Sequence, residues 1–349
     1  MIDRSVFRPV HTAVPLALPA LLALILSGFP LAHGQERVAE NLTDRVRQVF
    51  EERSGAVVRV EAKDRHGGLC GTGFFVDPTG TILTLFSTVA DASEISILVN
   101  GKRMEAKLLT ADPRSGVAFL KIDHATPFIP LASTKQLRLA SPVVAIGYPH
   151  DLRSSPSFGI IAGFDRKFLG KFFVTTHIRA NIPVLAGFGG APLLNLDGEA
   201  IGVVVAGIER GAACFALPIE AAEKVRRDFV RFGEARHGWV GVTVEGLPDG
   251  EVIVAELGPE TPASESGILE GDVLLRVGDI EVDEVEDVLD ASFFLTDGDP
   301  VDIHVLRNGE EISFSVTSSA HPTMEKDGLH ASGSFLDFNL RSQKQNFSP

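Results

Sequence analysis

Few side chains in this 349-residue chain could attack a carbonyl or carry a proton near neutral pH, and their positions decide which chemistry is open to it. The candidate nucleophiles are the thiol of Cys70 and the hydroxyl of Ser87, both in "CGTGFFVDPTGTILTLFSTVA". The histidines to weigh as bases are His150 in "GYPHDL" and His177 in "VTTHIRAN", and surface or loop positions are the preferred reading of both. Asp112 and Asp123, on either side of Gly116 in "ADPRSGVAFLKID", are carboxylates that could orient an imidazole. Hydrolysis by a side-chain nucleophile needs such groups as a unit, because a hydroxyl attacks only when a neighbouring base takes its proton. The loop "GFGGAP" is rich in glycine, as a tight turn with positive φ angles requires. No serine lies between Ser157 and Ser264, so this loop carries none.

The elements that must position these groups are mostly strands. From Ala56 to about Leu217, short β-rich runs such as "AVVRVEAKD", "TILTLF", "VAFLKID" and "AIGVVVAGI" follow one another without long helices between them. That spacing predicts a sandwich or closed barrels. Ahead of them, Val38, Leu42, Val46 and Phe50 line one face of a helix that Gly55 closes. "PIEAAEKVRRDFVRFGEARHG" predicts a connecting helix; strands and two short helices then alternate over about 80 residues, the size of one small domain. Residues 319–349 are polar and aperiodic, and are expected to form a flexible tail, with Phe335, Leu336, Phe338 and Leu340 as a docking patch.

Residues 1–34 carry Arg4 and Arg8 ahead of an apolar run, with small residues Ala32 and Gly34 spaced for cleavage. They read as a signal peptide cut after Gly34, and the protein is expected to be exported, periplasmic or extracellular. An uncleaved anchor is the alternative, but two prolines interrupt a run that is short for the roughly 20 apolar residues a bilayer needs. In an exported chain Cys70 and Cys214 could form a disulfide. Two buried free thiols packed as small hydrophobes is the preferred reading.

The net charge of −14 is unevenly spread. Residues 238–318 hold 20 acidic side chains against only Arg276 and Arg307, whereas residues 35–237 hold 25 basic and 22 acidic ones. A chain so charged lacks the basic surface that phosphate binding requires, which excludes nucleic acid as a partner. The acidic block marks a separate module that should repel acidic ligands and favour those with lysine or arginine.

Four motifs in order resemble the HtrA family of exported serine proteases, from about Val46 to Ser318: "GTGFFVDPTGTILT", "ADPRSGVAFLKID", "GGAPLLNLDGEAIGVV" followed by "FALPIEAAEKV", and "GWVGVTV" with "PASESGILEGDVLLRVGDIEV". The resemblance implies a mostly β protein, a trypsin-like double β-barrel followed by a PDZ-like α+β domain. The boundaries implied are a signal peptide at 1–34, an N-terminal helix with the double barrel at 35–225, a connector and PDZ domain at 226–318, and the tail. Carried over position by position, the family's general base falls on Ser87, its orienting carboxylate on Gly116 and its nucleophile on Gly189. None of the three has the required side chain.

The resulting expectation is a pseudoprotease, not an enzyme, that binds peptide C-termini or unfolded polypeptides, basic or apolar, as a scaffold, chaperone or regulator. Its ligand's terminal carboxylate would be caught by N–H groups of Trp239, Val240, Gly241 and Val242, with Arg236 to steer it, unless Trp239 is a core residue at the domain junction. Gly187 and Gly189 would be a remnant oxyanion loop. The alternatives are an active serine or cysteine endopeptidase of non-standard arrangement, using Cys70 or Ser87 with a distant histidine, and a structural subunit that assembles with an active relative. No cofactor or metal is expected, and the resemblance suggests a homotrimer.

Overall fold

The structure is a computed structural model that describes residues 32–320, apart from 66, 100, 151, 209 and 210. The expected signal peptide, except its last three residues, and the tail beyond 320 lie outside the described residues. The chain divides between Arg47 and Gln48. On the N-terminal side the described residues belong to helix Ala32–Arg53, where Arg47 Nη1 pairs with Asp44 Oδ1 at 2.8 Å.

Among the described residues the second unit holds three large sheets and one two-stranded one. The first has seven antiparallel strands, in spatial order Lys102–Glu105, Glu94–Val99, Val57–Lys63, Gly68–Phe75, Thr81–Leu85, Val117–Lys121 and Lys107–Asp112. Its central strands are apolar on both faces, and Phe74, Phe75, Ile82, Leu83, Phe119 and Leu120 are fully buried. Such strands read as continuous hydrophobic runs rather than as alternation. The second sheet closes into a six-stranded barrel: Lys171–Ala180, Ala213–Pro218, Ala200–Ile208, Pro192–Leu194, Pro142–Gly147 and Ser155–Phe168. Its longest hairpin turns at Leu169 and Gly170, whose φ values of 49° and 76° are those a two-residue type I′ turn demands.

Helix Ile219–Phe232 leaves the barrel and ends at Gly233, left-handed at φ 81°, whose N–H donates to the Phe229 carbonyl. The acidic module follows, with the sheet order Val242–Gly246, Val252–Leu257, Val273–Val277, Pro300–Arg307 and Glu310–Thr317. Helix Val285–Phe294 packs against it, and its N-terminus carries a capping box between Glu284 and Asp287. Ser319 and Ala320, where the sequence suggests the start of a tail, pair instead with Trp239 and Gly238.

Polar contacts fasten the module to the rest of the unit on two sides, besides the Arg231 ion pair with Asp299 and the Thr296 hydroxyl that donates to Asp228. On one side Arg166, on the long hairpin, engages Glu284 and places Nη2 2.5 Å from Asp287 Oδ1. Thr176 beside it donates its N–H and its hydroxyl to Asp290, each at 2.5 Å, and Lys167 lies 3.7 Å from Glu286. On the other side His237 Nε2 donates to Asp112 Oδ1 at 2.9 Å, and both residues are buried. Next to that pair, buried Lys224 bonds Asp228 at 2.6 Å and the Arg236 carbonyl. Burial raises the Asp112 carboxyl, but hydrogen bonds from His237 and Ser115 outweigh it and hold the group well below the usual carboxylate range. Burial lowers His237, and its bond to Asp112 only partly offsets this.

The imidazole is therefore neutral, with its proton on Nε2 and a buried Nδ1 that has no partner among the described residues. Protonating Nδ1 would create a buried donor without an acceptor. Since the unfolded His237 takes its proton near pH 6.5 and the folded one only at lower pH, stability falls as pH drops below that point. Asp112 adds a second loss as pH falls below about 4. The urea midpoint of the wild-type chain should decline between pH 7 and pH 5, and His237→Gln should flatten that decline. An unchanged slope in the variant would assign it to other groups.

Candidate functional site

The glycine-rich loop of the closed barrel is organised by one buried side chain of the first sheet. Thr72, on strand Gly68–Phe75, uses every polar atom it has. Its N–H donates to the Gly189 carbonyl at 2.8 Å, and its hydroxyl donates to the Gly187 carbonyl at 2.6 Å while accepting the Tyr148 N–H at 3.0 Å. Its own carbonyl accepts from the Thr84 hydroxyl at 2.8 Å. The glycine-rich loop of the second barrel is thus fixed to the first sheet. Gly187 has φ 98° and a Cβ there would lie 2.3 Å from the Tyr148 carbonyl; Gly190 has φ 87° and would meet the Thr72 carbonyl at 2.1 Å. These two positions admit only glycine. At Gly189 a Cβ would meet only the Leu85 side chain, at 2.9 Å.

Ser87, Gly116 and Gly189 are carried by segments that meet here. Ser87 is exposed on the short helix Phe86–Val89, the Phe86 N–H donates to the Gly116 carbonyl at 2.8 Å, and Gly189 lies against Leu85. Gly116 is left-handed at φ 76°. Among the described residues, neither the Gly187 nor the Gly189 N–H donates to a backbone carbonyl. A cleft of about 380 Å³, lined by Val184–Gly189, Val204–Gly207 and Gly211, adjoins the loop.

Several sequence expectations need correction. His177 is not on a surface loop; it is buried on strand Lys171–Ala180, its ring stacked 4.3 Å from Phe173 and its Nδ1 2.7 Å from the Thr175 carbonyl. Burial lowers its pKa and keeps it neutral. His150 is exposed with φ 52°, and its N–H donates to the Ala186 carbonyl at 2.7 Å, which puts this residue on the rim of the glycine-rich loop. Cys70 and Cys214 are both free, but only Cys214 is buried, its thiol pushed up to about 12 by desolvation. Strand alternation turns Cys70 outward while Gly71 faces the Gly189 carbonyl. Asp112 does orient an imidazole, that of His237, which the sequence reading did not single out; Asp123 is exposed. Only the fold brings residues 112 and 237 together.

A second site lies in the acidic module. Strand Val242–Gly246 is at the sheet edge, paired on one side only, with Val252–Leu257. Helix Val285–Phe294 runs along its open side, and Val240, Val242, Val288, Ser292 and Leu295 share a small apolar cavity of about 20 Å³ with Trp239. Trp239 and Val240 to Val242 thus sit at the head of a groove between strand and helix. Gly241 has φ 83°, and a Cβ there would strike the Thr261 side chain at 2.3 Å. Arg236 does not point to this loop: it stacks over the Phe232 ring at 4.5 Å and pairs with Glu234 at 3.4 Å.

Thr72→Val keeps the shape of the side chain but leaves the Gly187 carbonyl and the Tyr148 N–H without partners, a cost of about 2 to 4 kcal/mol. Thr72→Ser keeps the hydroxyl and should lose about 1 kcal/mol, the transfer energy of one methyl. Urea denaturation of the two variants separates these values; equal losses would mean that packing rather than hydrogen bonding fixes the loop.

Residues 71–203 match the trypsin-like peptidase domain family and residues 238–317 the PDZ domain family. A "Probable periplasmic serine endoprotease DegP-like" of Pseudomonas putida (strain W619) is 30% identical over 327 residues, 87% of this chain and 68% of that protein. One from Halomonas elongata, with the same name, is 31% identical over 281 residues, 75% of this chain; the chain spans only 59% of its length. Among solved structures, "HtrA-type protease AlgW with tripeptide" superposes with a TM-score of 0.68 at 24% identity, covering 79% of this chain and 97% of that one. A serine endoprotease from Yersinia pestis does so with a TM-score of 0.60 at 28% identity, covering 79% and 98%. The expectation that the chain is not an enzyme is corrected by these likenesses. Proteins about 30% identical to it across most of its length are named serine endoproteases, which places it among proteases rather than among binding modules alone. By sequence, by its two domains and by its fold, the chain belongs to the HtrA family of trypsin-like serine proteases.

Proposed function

We propose that this is a periplasmic protein that captures polypeptides by their C-termini, in the groove between strand Val242–Gly246 and helix Val285–Phe294, and presents them to the cleft between its barrels. The observation that carries this reading is the unpaired edge strand, headed by the loop Trp239–Val242 and backed by an apolar cavity. An extended ligand gains main-chain hydrogen bonds by adding to such an edge, and its last side chain gains burial in the cavity. The terminal carboxylate would lie against backbone N–H groups of the loop. A peptide ending in valine should bind the full chain at least about ten-fold more tightly with a free carboxylate than with a terminal amide, the ratio that about 1.4 kcal/mol gives. Equal affinities would remove the loop from the reading.

Peptide-bond hydrolysis is a second reading, favoured by the names of the relatives. On this chain the attacking group would be the Ser87 hydroxyl, carried by the segment that meets the glycine-rich loop, since Cys70 turns away from it, with His150 as the imidazole on the loop's rim and the N–H groups of Gly187 and Gly189 as oxyanion donors. The residues to avoid as bases are His177 and His237, both buried. The chain should cleave denatured casein slowly, Ser87→Ala and His150→Ala should each abolish cleavage, and Cys70→Ala should leave it unchanged. Cleavage that survives Ser87→Ala or His150→Ala would place the reacting groups elsewhere.

A further inference from the structure

The groove has two chemically different sides along its edge strand. Val242 and Val244 turn toward the helix and the core, Val244 being fully buried. By strand alternation, Thr243 and Glu245 turn the other way. Their cross-strand partners on Val252–Leu257 are Glu256 and Ile253. A polypeptide added antiparallel to this strand, with its carboxylate at the loop, aligns residue for residue. Its last residue lies beside Val242 and its third from the end beside Val244, both facing the helix. The second from the end then lies beside Thr243, and the fourth from the end beside Glu245.

We propose that the groove selects polypeptide C-termini carrying lysine or arginine at the fourth residue from the end, read by the Glu245 carboxylate; this rests on the capture reading above. Directly opposed residues on neighbouring strands hold their Cβ atoms about 5 Å apart, within reach of a long basic side chain, and opposite charges there attract while like charges repel. Glu245 is available for the purpose. Acids on the helix across the groove are occupied: Glu284 and Asp287 by Arg166, Asp290 by Thr176 and Glu286 by Lys167. Among the described residues no cation forms an ion pair with Glu245. The excess of acids in this module also means that a basic ligand meets no competing positive field as it approaches.

The test uses fluorescent eight-residue peptides ending in Xaa-Val-Gln-Val with a free carboxylate, where Xaa is lysine, glutamine or glutamate, titrated by anisotropy against the full chain at about 0.15 M salt. The lysine peptide should bind roughly two- to five-fold more tightly than the glutamine one, and the glutamate peptide more weakly than either. Glu245→Gln should equalise the lysine and glutamine peptides. Moving lysine to the second residue from the end, beside Thr243, should give no gain that depends on Glu245. If the three peptides bind equally, or if the lysine preference survives Glu245→Gln, selection by Glu245 is wrong while capture stands. If none of them binds, capture and the inference resting on it fail together.

Discussion

The four hydrogen bonds of Thr72 are the constraint on which the cleft depends. A threonine with no exposed surface can be kept only if its polar atoms are satisfied, and here the partners are the loop's own carbonyls and the N–H of Tyr148. The geometry of the loop follows. Gly187 and Gly190 must be left-handed to bring those carbonyls to the first sheet, and no Cβ fits at either position. Gly189, between them, is under no such demand, so the residue at the centre of the loop is the one the backbone leaves free to vary.

Two of the contacts that hold the acidic module differ in kind. The Arg166 clamp on helix Val285–Phe294 is partly exposed and gains modestly from Coulomb attraction in water. The His237 to Asp112 bond is buried and lies two residues before Trp239 at the head of the groove. Asp112 also shapes the turn that holds Gly116, through the N–H groups of Arg114 and Ser115. A single carboxylate therefore joins the turn at the barrel cleft to the start of the peptide groove. The large negative charge of the module takes on a second meaning in this arrangement, since part of it faces the long hairpin rather than solvent and serves as a docking surface inside the protein.

The family, the order of domains and the alternation of strands were legible in the sequence, because glycine-rich turns and β-rich runs at regular spacing are local signals. The acidic module was legible from charge counting alone, and the loop Trp239–Val242 from its motif. The side chains at 87, 116 and 189 could be named, but what they imply for activity could not be read from them. Turnover belongs to a constellation of groups, and the relatives' names overturned the inference of an inactive chain drawn from those positions.

What only the tertiary structure decided are the relations between distant residues. Nothing local marks Thr72 as the link between two barrels, since its partners lie 76 and 115 residues away. His237 reads as a connector residue until Asp112, 125 positions earlier, is found beside it. His177 was expected at a surface or loop position, yet the barrel closes around it and Phe173 stacks on its ring. Sequence determines what each strand and turn can be, because backbone preference and alternation act over a few residues. Which polar groups are buried together is settled only when the sheets pack, because the cost of leaving one unpaired appears only once water is excluded.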